Sequence, residues 1–143
     1  SLGGTLDKYT GDGLMAFWGA PLPCENSADL AIDAALQIFK NLQALNQSRL
    51  AKGLKPLRMR IGIESGRAVV GEMGTRFRTT YTAIGDCVNH ASRLEAASAK
   101  FGLSLLIGPV AKSQAQKHKL VRVGVHKVRG TDEDIDVYTR ELV

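Results

Sequence analysis

The segment that constrains the fold most strongly reads Thr80-Tyr81-Thr82-Ala83-Ile84-Gly85-Asp86-Cys87-Val88-Asn89-His90-Ala91-Ser92-Arg93. Residues 81–84 favour a strand, Gly85 permits a turn, and residues 86–100 predict a helix. The helix would bury an apolar stripe made of Val88, Ala91, Leu94 and Ala97. Asn89 and Arg93 are four residues apart, so they are expected to be neighbours on the helix surface beside that stripe. They form either a solvated face or a pair of donors for charge that develops on a phosphoryl group.

A second segment, Asp7-Lys8-Tyr9-Thr10-Gly11-Asp12-Gly13, predicts the tip of a β-hairpin that spans residues 5–18. With a two-residue turn at Thr10-Gly11, Tyr9 would oppose Asp12, and Lys8 would point to the other face. Lys8 and Asp12 are therefore expected not to serve one site within one chain. Asp12 is either a turn aspartate that supports its own backbone or a carboxylate ligand for Mg²⁺.

The remaining elements alternate between strands and helices. We predict a helix over residues 28–45 with Asn26 as its N-cap, an exposed hairpin arm over 72–80, and a short helix over 110–117. Further strands are predicted over residues 58–63, 68–71, 103–107, 120–128 and 135–138. This interleaving predicts an α/β (α+β) fold in which a sheet carries helices on one main face.

Composition limits the classes of function. The 143 residues, of which 44% are hydrophobic and 23% charged, fit one soluble domain. A net charge of +5 favours an anionic partner, but the basic residues are not gathered beside aromatic ones, which argues against nucleic acid. No apolar run is long enough to span a bilayer, and Cys24 and Cys87 show no metal or disulfide spacing, so we expect a reduced, cytoplasmic protein. Phosphate-binding P-loop, dinucleotide-binding and serine-hydrolase motifs do not occur.

Arg60 is an anomaly because it falls within the apolar strand pattern of residues 58–63. An arginine at such a position must reach the edge of the sheet or meet an anion.

Taken together, these stretches resemble the catalytic domain of a class III adenylate/guanylate cyclase, of the bacterial kind that uses Lys and Thr as base selectors. The resemblance runs from Gly3 to Leu142 and is most specific over residues 7–21, 60–63 and 81–93. It implies a ferredoxin-like, palm-type fold and a head-to-tail homodimer with active sites at the subunit interface. The implied reaction is attack of the ribose 3′-oxygen of ATP on the α-phosphate, which yields 3′,5′-cyclic AMP and pyrophosphate.

The resemblance also implies a role for each candidate residue. Lys8 and Thr82 would read the adenine edge, and Arg60 would bind the terminal phosphates. Asp12 would be a metal ligand that bridges two Mg²⁺ or Mn²⁺ ions. Asn89 would orient the ribose, and Arg93 would stabilise the transition state. One subunit would supply the metal and phosphate ligands, and the other would supply Lys8, Thr82, Asn89 and Arg93.

The sequence also departs from the family pattern. A first strand with another metal aspartate, and two helices, would precede Gly3, so we expect an N-terminally incomplete copy of the domain. Near the C-terminus, Thr131 occupies the position of a triphosphate-binding Lys found in many relatives, with Arg129 close by. The leading hypothesis is an adenylate cyclase domain, with regulatory domains outside this chain. The alternative is a catalytically silent dimerisation or nucleotide-sensing module, which the absent aspartate favours.

Overall fold

The computed structural model describes residues 2–127 and 133–140. Within them the strands are β1 (Thr5–Thr10), β2 (Gly13–Phe17), β3 (Ile61–Ile63), β4 (Val69–Thr75), β5 (Arg78–Ile84), β6 (Leu105–Ile107), β7 (Val121–Lys127) and β8 (Asp134–Thr139). The helices are α1 (Ser27–Ala51), α2 (Asp86–Ala97) and α3 (Pro109–Gln114), and a 3₁₀ turn over Ser98–Phe101 follows α2. The last residue of the strand predicted over 120–128, Val128, lies outside the described residues. Across residues 2–127 and 133–140, none of the helices is long and apolar enough to cross a membrane.

The described strands form three sheets. The largest has the order β3-β6-β8-β7, in which β3 and β6 are parallel and the other pairs are antiparallel. The hairpins β1-β2 and β4-β5 form a sheet each. The strands predicted over 58–63 and 68–71 therefore lie in different sheets, because β3 pairs with β6 whereas β4 pairs with β5.

Helices cover both faces of the four-stranded sheet. Leu105 and Ile107 of β6 pack with α1 and α3, whereas Leu106 packs with α2 and Val137. Successive side chains of a strand point to opposite faces, so the fully buried run Leu105–Ile107 requires a helix layer on each side. The mixed α/β class is confirmed, but the expectation of helices on one main face was wrong.

Helix α1 extends six residues beyond the predicted end at Leu45. Asn46 exchanges two hydrogen bonds with the backbone of Leu57, and Arg49 donates from Nε to the carbonyl oxygen of Lys55 at 2.9 Å. These hydrogen bonds hold the loop after α1, which contains Lys55 and Leu57, against the last turns of the helix. Asn26 does precede the helix, but its side chain makes no capping hydrogen bond.

The turn between β1 and β2 lies at Gly11-Asp12, one residue later than predicted. Thr10 pairs with Gly13 and Tyr9 with Leu14. Gly11 has a φ of +59°, the positive value that a type II′ hairpin turn needs at its first central position. Asp12 is thus part of the turn rather than opposite Tyr9, and the predicted separation of Lys8 and Asp12 by strand parity does not hold.

Helix α2 lies unusually close to β3 at Gly62. A Cβ atom at this position would clash with the carbonyl oxygen of Ala91 and the backbone nitrogen of Glu95, both in α2. Backbone atoms cannot move aside as a flexible side chain can. The absence of a side chain at Gly62 therefore sets the distance between the helix and the sheet.

We predict that Gly62→Ala destabilises the chain by about 1–3 kcal/mol, the usual cost of overpacking a core. Urea unfolding followed by circular dichroism measures the change. Gly71→Ala is the matched control, because a Cβ atom at Gly71 would meet no other heavy atom within 4 Å. Equal stability of the two variants would contradict the account of the contact between α2 and β3.

Candidate active site

Thr82 on β5 and Asp7 on β1 join the two hairpins through a partly buried contact. The Thr82 hydroxyl donates from Oγ1 to Oδ2 of Asp7 at 2.7 Å, and the backbone nitrogen of Ala83 donates to the same oxygen at 3.3 Å. Thr82 is only 8% exposed. The base-reading threonine implied by the resemblance is thus fixed by a carboxylate 75 positions earlier in the chain.

Lys8 follows Asp7 at an irregularity in β1. Leu6 pairs with Ala16 and Lys8 pairs with Met15, so Asp7 has no partner in the ladder. Such a bulge re-aims side chains and interrupts strict alternation between the two faces. Lys8 is exposed, and its neighbour Asp7 contacts Thr82. Lys8 and Thr82 therefore lie on adjacent segments of the fold, as a shared base-binding role requires.

Helix α2 begins immediately after the strand that carries Thr82. The backbone nitrogens of Val88 and Asn89 donate to the carbonyl oxygen of Gly85, which closes the first turn. Gly85 allows the start of the helix to lie close to Arg67 and Ala68, and Gly66 allows the same loop to lie close to Cys87 of the helix. Asn89 and Arg93 are both exposed on the helix, so each is available to a ligand.

Arg93 belongs to a cationic region that includes a residue of β7. Burial lowers the pKa of the His126 imidazole below its usual value, and the positive charges of Lys100 and Arg93 lower it further. His126 therefore binds a proton less readily than a free histidine and lies near the side chains of Lys100 and Arg93. This surface attracts anions, in keeping with a ligand that carries phosphate groups.

Arg60 does meet an anion, but it is one from its own chain. Its Nε lies 3.5 Å from Oε1 of Glu95 on α2, with both side chains partly exposed (48% and 42%). Arg60 also precedes β3 rather than lying within it. A terminal phosphate would have to compete with Glu95 for this guanidinium.

Asp12 stands exposed at the tip of the β1-β2 turn. Among residues 2–127 and 133–140, no group of three His, Cys, Asp or Glu side chains is arranged to hold a metal ion. Asp12 fits a metal as one hard oxygen ligand, and ligands beyond this carboxylate must come from elsewhere. The positions of Arg129 and Thr131 lie outside the described residues.

Two acidic residues close to the candidate site were not singled out by the sequence. Asp7 contacts Thr82, and Glu95 contacts Arg60. Neither shows a local signal, since each partner is distant in the chain. The only hint at Asp7 was a carboxylate within an otherwise strand-like stretch beside Lys8.

The family of the chain follows from comparison with known proteins. The family model described as the adenylate and guanylate cyclase catalytic domain matches residues 8–139. The chain therefore belongs to the family of adenylate and guanylate cyclase catalytic domains, and the resemblance stated above is confirmed.

Curated relatives include cyclases from bacteria. The chain is 38% identical over 136 residues to adenylate cyclase 1 of Rhizobium meliloti, a match that covers 94% of the chain and 20% of the relative. It is 33% identical to the adenylate cyclase of Anabaena cylindrica, over 95% of the chain and 28% of the relative. The chain thus spans between a fifth and a third of these relatives.

Solved structures of cyclases share the fold. The adenylyl cyclase CyaB from P. aeruginosa matches with a TM-score of 0.87 and 34% identity, over 96% of this chain and 71% of that one. The guanylyl cyclase Cya2 matches with a TM-score of 0.83 and 27% identity, over 96% of this chain and 69% of that one. Both purine specificities therefore occur on this fold.

We predict that acid destabilises the chain partly through His126. In the unfolded chain this histidine titrates near its ordinary pKa of about 6.5, whereas the folded chain binds the proton only at lower pH. As the pH falls through that window, the unfolded state takes up the proton first and the free energy of unfolding decreases. His126→Gln should show a smaller fall in melting temperature between about pH 7.5 and 5.5, and Arg93→Ala should also reduce the fall. An unchanged fall in both variants would rule out this contribution.

Proposed function

We propose that this chain is the catalytic part of an adenylate cyclase, which converts ATP into 3′,5′-cyclic AMP and pyrophosphate in the cytoplasm. One observation carries the proposal: Lys8 and Thr82 lie on adjacent segments, and the strand of Thr82 leads directly into the helix with Asn89 and Arg93. A candidate base reader, an amide and a guanidinium group are thereby held on one continuous unit. Relatives named adenylate cyclase over most of the chain support the same substrate.

The Lys8 ammonium group supplies a preference for adenine. It can only donate hydrogen bonds. Adenine presents an acceptor at N1, whereas guanine presents an N–H donor there. A lysine whose ammonium group lies at N1 therefore hydrogen-bonds adenine and faces the N1–H donor of guanine.

In the proposed reaction the ribose 3′-oxygen attacks the α-phosphorus. A new oxygen–phosphorus bond forms, the bond from the α-phosphorus to the oxygen bridging to the β-phosphate breaks, and pyrophosphate leaves with that electron pair. The proton of the 3′-hydroxyl passes to solvent. Asn89 would hold the ribose in line, and Arg93 would donate to the α-phosphoryl oxygens as charge builds on them. Positioning and charge stabilisation are the main protein contributions in phosphoryl transfer.

Asp12 would supply one carboxylate to a Mg²⁺ or Mn²⁺ site, and Arg60 would contact the terminal phosphates after release from Glu95. The bound metal would withdraw electron density from the phosphate oxygens. Since the described residues contain no three-ligand cluster, completion of the site needs phosphate oxygens and groups outside them. We propose that a second copy of the chain faces the first, so that Asp12 and Arg60 of one copy meet Thr82 and Arg93 of the other.

The alternative function is a catalytically silent dimerisation or nucleotide-sensing module. The incomplete ligand set around Asp12 favours it. The two proposals differ in turnover: the silent module binds ATP without forming cyclic AMP, whereas the enzyme forms cyclic AMP in the full-length protein with Mn²⁺.

We predict that Arg93→Ala lowers kcat for cyclic AMP formation by about 10²–10³-fold, the usual loss when a transition-state donor is removed. KM for ATP should change little, because the interaction strengthens in the transition state. The matched control is Arg122→Ala, which removes an exposed arginine paired with Asp136 at 2.9 Å on β7 and β8. Near-wild-type turnover by Arg93→Ala would reject the role.

We also predict that Asp12→Asn raises the Mn²⁺ concentration needed for half-maximal rate by about tenfold or more, because even the loss of a group that only hydrogen-bonds a metal ligand costs about 10–100-fold in metal affinity. Titration of Mn²⁺ at saturating ATP measures the shift. Glu25→Gln, an exposed carboxylate outside the turn, is the control. An unchanged Mn²⁺ requirement in Asp12→Asn would exclude Asp12 as a metal ligand.

A further inference from the structure

We propose that Asp7 is a positioning residue that sets base specificity by holding the hydroxyl proton of Thr82. The hydroxyl then faces the purine only as a hydrogen-bond acceptor, which selects adenine and rejects guanine. This inference rests on the proposed function and assigns to Asp7 a role that the family resemblance did not provide.

The direction of the hydrogen bond follows from the contacts of a single oxygen. Oδ2 of Asp7 accepts from the backbone nitrogen of Ala83 at 3.3 Å, so this oxygen acts as an acceptor. The hydroxyl of Thr82, 2.7 Å from the same oxygen, therefore donates.

A hydroxyl group has one proton and two lone pairs. Because the proton of Thr82 is committed to Asp7, only lone pairs remain for a ligand. The exocyclic amine of adenine is a donor and matches them, whereas O6 of guanine is an acceptor and opposes them. Lys8 discriminates in the same direction at the neighbouring N1 position, so the two residues together read the donor and acceptor order of adenine.

Stability alone does not explain a carboxylate at position 7. Oδ1 of Asp7 is buried and has no hydrogen-bond partner among the residues that the structure describes. A buried carboxylate with an unsatisfied oxygen is costly, and an apolar side chain would avoid that cost. The bulge in β1 removes Asp7 from the ladder and directs it to Thr82. The fold therefore tolerates the energetic cost of the Asp7 carboxylate at the position where it accepts the hydroxyl proton of Thr82.

The test compares kcat/KM for ATP and GTP in the full-length protein. Asp7→Leu removes the acceptor with little change in size and frees the Thr82 proton, so the ATP/GTP ratio should fall about tenfold. Asp7→Asn can keep a carbonyl oxygen beside Thr82 and Ala83, so its ratio should stay within about threefold of wild type. In a Thr82→Val background, Asp7→Leu should have no further effect on the ratio, since the hydroxyl that it controls is absent.

Asp136→Leu is the matched control, because it removes an exposed aspartate on β8 that pairs with Arg122. Melting temperatures of all variants identify any that fail to fold. A folded Asp7→Leu variant with the wild-type ratio would overturn the inference. So would an additive effect of Asp7→Leu in the Thr82→Val background.

Inosine triphosphate provides a test that needs no variant. Its base has an acceptor at position 6 and a donor at N1 like guanine, without the 2-amino group. We expect wild-type kcat/KM for inosine triphosphate to be as low as for GTP. Use of inosine triphosphate and ATP at equal rates would overturn the inference and leave the cyclase function standing. No cyclic nucleotide from any triphosphate would overturn both.

Discussion

The close approach of α2 to β3 at Gly62 is the constraint on which the candidate site depends. Backbone atoms of Ala91 and Glu95 occupy the space that any side chain at position 62 would need. The helix carries Asn89 and Arg93 on its exposed side, and Leu94 and Ala97 on its buried side. Because the contact at Gly62 fixes the position of α2 relative to the sheet, it also fixes the positions of Asn89 and Arg93 on the exposed face of the helix. Catalysis by positioning requires such rigidity, because small displacements of a donor reduce its effect.

The second connection of the site is electrostatic. The hairpin β1-β2 shares no sheet with the hairpin β4-β5. The Asp7 carboxylate joins them by accepting from Thr82 and Ala83. The proposed base reader Thr82 and the proposed transition-state donor Arg93 are thus linked through one strand, because β5 carries Thr82 and leads into α2. Packing fixes the helix, and a partly buried hydrogen bond fixes Thr82.

Much of the fold was predictable because the signals were local. The hairpins, α1, α2 and the strand near Leu105 were all indicated by periodicity and turn residues. Two errors came from signals that the sequence left ambiguous. Thr10-Gly11 and Gly11-Asp12 are both acceptable turns, and only the strand register, in which Thr10 pairs with Gly13, distinguishes them. The continuous apolar run Leu105–Ile107 does indicate burial on both faces, yet it was assigned to a sheet covered on one.

The candidate site was harder to predict from the sequence than the fold was. Lys8, Asp12, Thr82, Asn89 and Arg93 were found because they form part of ordered motifs that resemble a family. Asp7 and Glu95 were missed, since each acts through a partner brought close only by folding. Pairs of this kind have no spacing rule, whereas residues on one helix or one turn do.

The most direct measurement is a crystal structure of the full-length protein with a non-hydrolysable ATP analogue and Mn²⁺. The account predicts that Lys8 Nζ and Thr82 Oγ1 of one copy lie about 2.7–3.2 Å from N1 and the exocyclic nitrogen of adenine. It also predicts that Asp12 of the facing copy lies at the metal beside the triphosphate. An adenine ring bound away from Lys8 and Thr82, or a triphosphate remote from Arg93 and from Asp12 of the facing copy, would contradict it.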